Sequence, residues 1–172
     1  MKGEKEMAKK EIAKRRSNVT IEGARIIFRN FKGEPTQYNR KGDRNFCVVL
    51  DKDTADALVA DGWNVKYKEP REEGDDPLIY LKVKVAFGNY PPIIKQITTS
   101  GATKLDEDTV MVLDTAAIDN VDLIISPYEY EVNGKHGVAA YLKKMYVTIQ
   151  EDDLDKKYAR FLADEEQLPF DD

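Results

Sequence analysis

Between Leu78 and Phe87 the chain alternates with a period of two: Leu81, Val83, Val85 and Phe87 fall on one side, and Tyr80, Lys82 and Lys84 on the other. A helix cannot segregate residues at that spacing, whereas successive side chains of a pleated strand point to opposite faces. The segment therefore belongs to a sheet with one face against a core and one in water, the usual condition of antiparallel sheets. The same logic extends over residues 18–150. A first long strand is expected from the β-forming run Val19-Thr20-Ile21 on through Ala24 to Phe31, with Gly23 inside it as a bulge. Further strands are expected at 45–50, 64–68, 93–98, 109–113, 121–126, 128–132 and 137–149, with a hairpin turn at Asn133-Gly134. Helix punctuation is clear over Asp51 to Gly62, where Ala55, Leu58 and Val59 keep helical spacing between an Asp cap and a closing Gly. About eight or nine short strands, one short helix and no βαβ alternation imply a mainly β chain, an antiparallel barrel or sandwich.

The 172 residues suffice for one core of ordinary size. Residues 1–17 are nearly devoid of apolar side chains and end on Lys14-Arg15-Arg16, which predicts a flexible basic arm. Residues 151–172 form an acidic tail, in which Leu154, Tyr158, Phe161 and Leu162 allow one or two helical turns before a disordered end. The net charge of −5 hides this polarity. Residues 1–50 hold 13 Lys/Arg against 6 Asp/Glu, and residues 151–172 hold 3 against 9. No window is apolar enough for a membrane span and no secretion signal opens the chain, so a cytoplasmic location is expected.

Enzyme chemistry finds little support. The single cysteine, Cys47, lies in an apolar run and reads as a small buried hydrophobe, and the single histidine, His136, sits in a turn. Neither a disulfide framework nor a Cys/His metal site can be built from them, and no phosphate-binding or dinucleotide glycine pattern occurs. Asp51, Asp114 and Asp122 are the carboxylates one could offer for metal-dependent phosphodiester cleavage, but their spacing carries no signal. The expectation is a protein without enzymatic activity, metal or cofactor.

Binding of single-stranded nucleic acid needs aromatic platforms for bases and cations that follow phosphates. Three strands offer that mixture: Arg25, Ile27, Arg29 and Phe31, with Lys32 after them, if the first strand runs regularly; Tyr80, Lys82 and Lys84; and Tyr141 with Lys143, or Lys144 with Tyr146, depending on register. The loop between the first two strands adds Tyr38, Arg40, Lys41 and Arg44. Trp63 and Phe28 sit in apolar contexts and are expected in the core, while Tyr67 and Tyr90 fit either place. In the tail, Leu168, Pro169 and Phe170 interrupt a run of carboxylates, a composition suited to entering a partner's pocket while the acidic surroundings compete with DNA.

Through Gly23-Ala24-Arg25-Ile26, Phe28-Arg29-Asn30-Phe31, Asn45-Phe46, Asp61-Gly62-Trp63-Asn64-Val65, Val121-Asp122-Leu123 and Ala140-Tyr141-Leu142, residues 18–150 resemble phage single-stranded-DNA-binding proteins of the OB-fold type. The resemblance implies an OB-like barrel that coats single-stranded DNA without sequence preference during replication or recombination. The tail separately resembles the acidic tips with which such proteins recruit replication or recombination partners, although here Asp171 and Asp172 follow Phe170. A homo-oligomer is compatible with all of this. The alternative reading is a protein-interaction module, such as an inhibitor of a host enzyme, on a β scaffold.

Overall fold

The computed structural model describes residues 16–167, which leaves the basic arm through Arg15 and the trio Leu168, Pro169 and Phe170 outside the described residues. Nine strands and two helices follow one another as β1 (Val19–Ala24), β2 (Ile26–Asn30), β3 (Arg44–Val49), α1 (Lys52–Ala60), β4 (Val65–Lys68), β5 (Leu78–Val85), β6 (Ile93–Thr98), β7 (Gly101–Leu105), β8 (Ile118–Val132), β9 (Lys135–Ile149) and α2 (Asp153–Gln167). A 3-10 turn at Val110–Asp114 precedes β8. No described helix is long and apolar enough to cross a membrane.

All nine strands share one mixed sheet. Its main path is β1-β8-β9-β5-β3-β2, with β4 added to β5, β6 to β9, and β7 to β6. The two ends of the path, β1 and β2, are consecutive in the chain and joined through Arg25, but they do not pair with each other. The expected wholly antiparallel arrangement is corrected at β9. Its 15 residues pair antiparallel with β8 along one edge, while β5 and then β6 pair parallel with it along the other. A parallel neighbour requires a long crossover, and residues 86–134 supply it between β5 and β9. Such pairing leaves no mark in local sequence.

The alternation of β5 is realised as expected. Leu81, Val83 and Val85 are buried with Phe46 and Val48 of β3, Leu123 and Ile125 of β8, and Met145 and Val147 of β9, while Lys82 and Lys84 are exposed. Asp51 caps α1 by accepting the Thr54 N–H at 2.7 Å, a bond that holds its carboxyl below the usual carboxylate range. Trp63 follows α1 into the core, as its apolar context predicts.

Several local expectations change. The first strand breaks at Arg25, so that β1 pairs with β8 and β2 with β3. Gly23 does form the bulge: its φ of +61° lies in the left-handed region, and its N–H donates to Asp122 Oδ1 at 2.8 Å. The strand expected at 109–113 is the 3-10 turn instead. Asp106 Oδ1 accepts from the N–H groups of Asp108 and Thr109, and this local bonding outcompetes a strand ladder. The strand β7, exposed except at Leu105, was not anticipated because it has no apolar alternation. The two strands expected at 121–126 and 128–132 are one, since Pro127 lies beyond the last β1 partner of β8, on an edge where its missing N–H costs no ladder bond. The hairpin turn at Asn133-Gly134 has φ of +53° and +78°, both positive as a type I′ turn requires. In the tail, α2 is longer than the one or two turns expected.

Candidate nucleic-acid interface

Register places the outward side chains in rows. Ile27, Cys47 and Lys82 form one row across β2, β3 and β5; Asn30, Asn45, Lys84 and Tyr141 form the next, extending to β9. Tyr80 lies one step further along β5 and has Lys66 of β4 as its neighbour. Burial pushes the Cys47 thiol up in pKa, against the lowering pull of Lys82 and Lys66, so both ammonium groups act on this part of the face. Lys82, Lys84 and Lys66 form no ion pair among the described residues. The Lys84 ammonium stands 5.8 Å from the centroid of the Tyr141 ring, which meets Tyr128 edge-on at 5.5 Å.

Two clefts adjoin these rows. One, of about 590 Å³, is bounded by Gly42–Asn45, Lys82, Lys84, Phe87 and Tyr141, with Asp43 and Glu107 as its carboxylates. The other, of about 530 Å³, is lined by Tyr90, Ile93, Tyr141 and Lys143 and contains no carboxylate. Ala86 and Tyr141 line both, so the clefts adjoin at these residues. The 32–43 loop that forms one wall is tied internally: Asn39 Nδ2 donates to the carbonyls of Glu34, Arg40 and Asp43, and Asn45 Nδ2 donates to Asn39 Oδ1. Arg44 donates to the Phe31 carbonyl at 2.7 Å and lies 5.5 Å from the Phe87 ring centroid. It is both a clamp on the loop and a charge in the cleft.

The residues singled out in the sequence divide accordingly. Arg44, Lys82, Lys84, Tyr141 and Lys143 line the clefts, and Tyr80 borders them. Tyr38, Arg40 and Lys41 are exposed on the loop, and Lys32 is exposed but pairs with Glu34 at 3.1 Å. Arg25 and Arg29 line a separate hollow with Ala116–Asp119. Arg29 spends its guanidinium on the carbonyls of Leu113 and Ala116, both at 2.8 Å, and thereby holds the 3-10 turn against β2. Asp51, Asp114 and Asp122, offered for metal chemistry, each accept backbone N–H groups: Asp51 from Thr54, Asp114 from Phe31 and Lys32, Asp122 from Gly23.

Two aromatic assignments are reversed. Phe31, expected to stack on a base, is fully buried and stacks on Phe46 with centroids 5.1 Å apart. Phe28, expected in the core, is 57% exposed and meets Tyr80 edge-to-face at 5.7 Å. The cause is a register slip between the pairs Ile27 with Cys47 and Asn30 with Asn45, which inserts one extra residue in β2. Phe28, at a φ of +51°, sits at that bulge. A one-residue slip exchanges the faces of everything after it. On β9 a second slip, between Leu142 and Lys144, leaves Lys143 without a partner on β8. It turns both Tyr141 with Lys143 and Lys144 with Tyr146 outward, so the two alternatives posed by the sequence hold together.

A family model described as "Putative phage ssDNA-binding domain" matches residues 8–171. The chain belongs to this family. Among curated proteins none matches the sequence. The fold of this family member is similar to that of the single-stranded DNA-binding protein from bacteriophage Enc34, with a TM-score of 0.51 at 9% identity over 80% of this chain and 84% of that one. The same phage protein in complex with ssDNA gives a TM-score of 0.53 at 10% identity, covering 80% and 89%. At such identities the likeness is one of fold: a mainly β chain with a mixed sheet and two helices.

Proposed function

We propose that this protein binds single-stranded DNA without sequence preference along the outer face of β3, β5 and β9. The observation that carries the reading is the Lys84–Tyr141 pair, whose tyrosine lines both of two adjoining clefts, with Arg44 and Lys82 in one and Lys143 in the other. Cations of this kind follow phosphates, and an exposed aromatic face accepts any base. We assign phosphate contacts to Arg44, Lys82, Lys84 and Lys143, supplemented by Arg40 and Lys41 from the loop, and base stacking to Tyr80, Tyr141 and Phe28. Tyr38 flanks the path from the loop, whereas Arg25, in its separate hollow, is left out of it. Residues β1 and β2, two halves of one bent strand that carry the two ends of the pairing path, support an OB-like barrel as the scaffold.

The reading is tested by fluorescence titration with oligo-dT, duplex DNA and RNA at two salt concentrations. Micromolar or tighter binding to oligo-dT that weakens with salt, with little affinity for duplex, is expected; indifference to oligo-dT would return the protein-interaction reading. Phe28→Ala is expected to weaken oligo-dT binding by about 1–3 kcal/mol, the usual contribution of one base stack. Because the ring is exposed, the unfolding midpoint should stay close to that of the unaltered protein.

We assign to the acidic tail a second role, competing with DNA and contacting replication or recombination proteins through Leu168, Pro169 and Phe170. Exposed Leu154, Tyr158 and Phe161 on α2 support a protein contact made from this end of the chain. Deleting residues 151–172 should tighten oligo-dT binding at low salt, and an unchanged affinity there would remove the competition.

A further inference from the structure

Beyond the two clefts, β9 continues past Lys143 and exchanges β5 for β6 as its parallel neighbour. There Lys95 of β6 stands between Tyr146 of β9 and Lys104 of β7, each its direct register partner. Lys144 lies 5.2 Å from the Tyr146 ring centroid. Like charges directly opposite each other on neighbouring strands destabilise the pair. None of the three lysines has an ion pair among the described residues. The one carboxylate in the same row is Asp122, partner of Tyr146 on the β8 side, and its Oδ1 is engaged by the Gly23 N–H. The fold thus gathers three ammonium groups, with no ion pair among the described residues and one carboxylate in the row, beside a half-buried tyrosine, a net positive charge that a polyanion would relieve.

We infer that this cluster, Lys95, Lys104, Lys144 and Tyr146, is a second subsite for single-stranded nucleic acid, reached by the strand after it leaves the Tyr141 junction. The inference rests on the proposed function and extends it. Continuity comes from the β9 bulge, which turns Tyr141, Lys143, Lys144 and Tyr146 all outward. It also comes from Ile93, which lines the second cleft and is the register partner of Lys144. At about 3.3 Å per residue, Tyr146 lies roughly 15 Å along the strand from Tyr141. A short oligonucleotide therefore fills the clefts alone, and a long one covers the lysine cluster as well.

The test uses the full chain, the variant Lys95→Glu, and oligo-dT of about 6 and about 20 nucleotides, within and beyond the range occluded by such folds. Lys95→Glu places a carboxylate opposite Lys104, so the unfolding midpoint should hold or rise. Binding of the short oligonucleotide should be unchanged. Binding of the long one should fall several-fold, and its salt slope should drop by about 0.7, the value of one contact for single strands. If the unaltered protein binds neither oligonucleotide, the proposed function fails. If it binds and the variant matches it on the long oligonucleotide, or loses equally on both, the second subsite alone is overturned. Tighter binding of the long oligonucleotide by the variant would also overturn it, by identifying the cluster as a dock for the chain's own acidic tail.

Discussion

Phe31→Ala is expected to cost about 3–5 kcal/mol of folding stability, the range for truncating a fully buried phenylalanine. Set against the 5–15 kcal/mol typical of a whole domain, this is a large fraction, and urea denaturation will measure it. The effect has two sources. The ring is completely enclosed and stacked on Phe46, so its removal leaves a cavity in the layer shared by β2 and β3. Its backbone is also a clamp: the Phe31 N–H donates to Asp114 and its carbonyl accepts from Arg44, and both bonds loosen if β2 shifts into the void. At temperatures where the variant is still folded, its affinity for oligo-dT should be near that of the unaltered protein. The opposite pattern, full stability with weakened binding, would show that Phe31 faces the ligand.

The contrast between Phe31 and Phe28 marks where sequence reading stopped. Regular alternation from Arg25 puts Arg29 and Phe31 outward and hides Phe28, and nothing local argues against it. Gly23 announces the first bulge because glycine is the usual residue for a positive φ. The second bulge falls on a phenylalanine, a residue that seldom adopts such a backbone, so no composition signal precedes it. A single unannounced residue then exchanges the faces of the segment behind it. By contrast β5 has no bulge, and its face of Tyr80, Lys82 and Lys84 was legible in full. The neighbours of β5 were not, because the parallel partners on β9 lie more than fifty residues away and pattern within a strand does not specify its partner.

The second large effect concerns that legible face. Lys82→Glu combined with Lys84→Glu should reduce affinity for oligo-dT on the order of 100-fold or more, since each charged contact contributes about 1.5 kcal/mol or more. The salt slope should fall by about 1.4 for the two lost contacts. Both side chains are exposed and free of ion pairs among the described residues, so the fold should tolerate the change. A companion variant, Lys52→Glu with Lys135→Glu, alters net charge equally at α1 and the β8–β9 hairpin, away from the clefts. Affinity close to the unaltered value in the companion separates local contact from overall attraction; equal loss in both would dissolve the assigned face.

The position of β9 in the chain has a consequence for how the protein comes into being. This strand is the common partner of β8, β5 and β6, and it is the last of the described strands. During synthesis, the other described strands therefore emerge before the strand that joins them, and the free edges of β5 and β6 wait exposed until it arrives. Pairings over such sequence separations are slow to form and leave sticky edges in the interval. The sheet thus cannot close until β9 has emerged, and a ribosome paused before residue 135 holds a chain that a chaperone, rather than DNA, would be the first to bind.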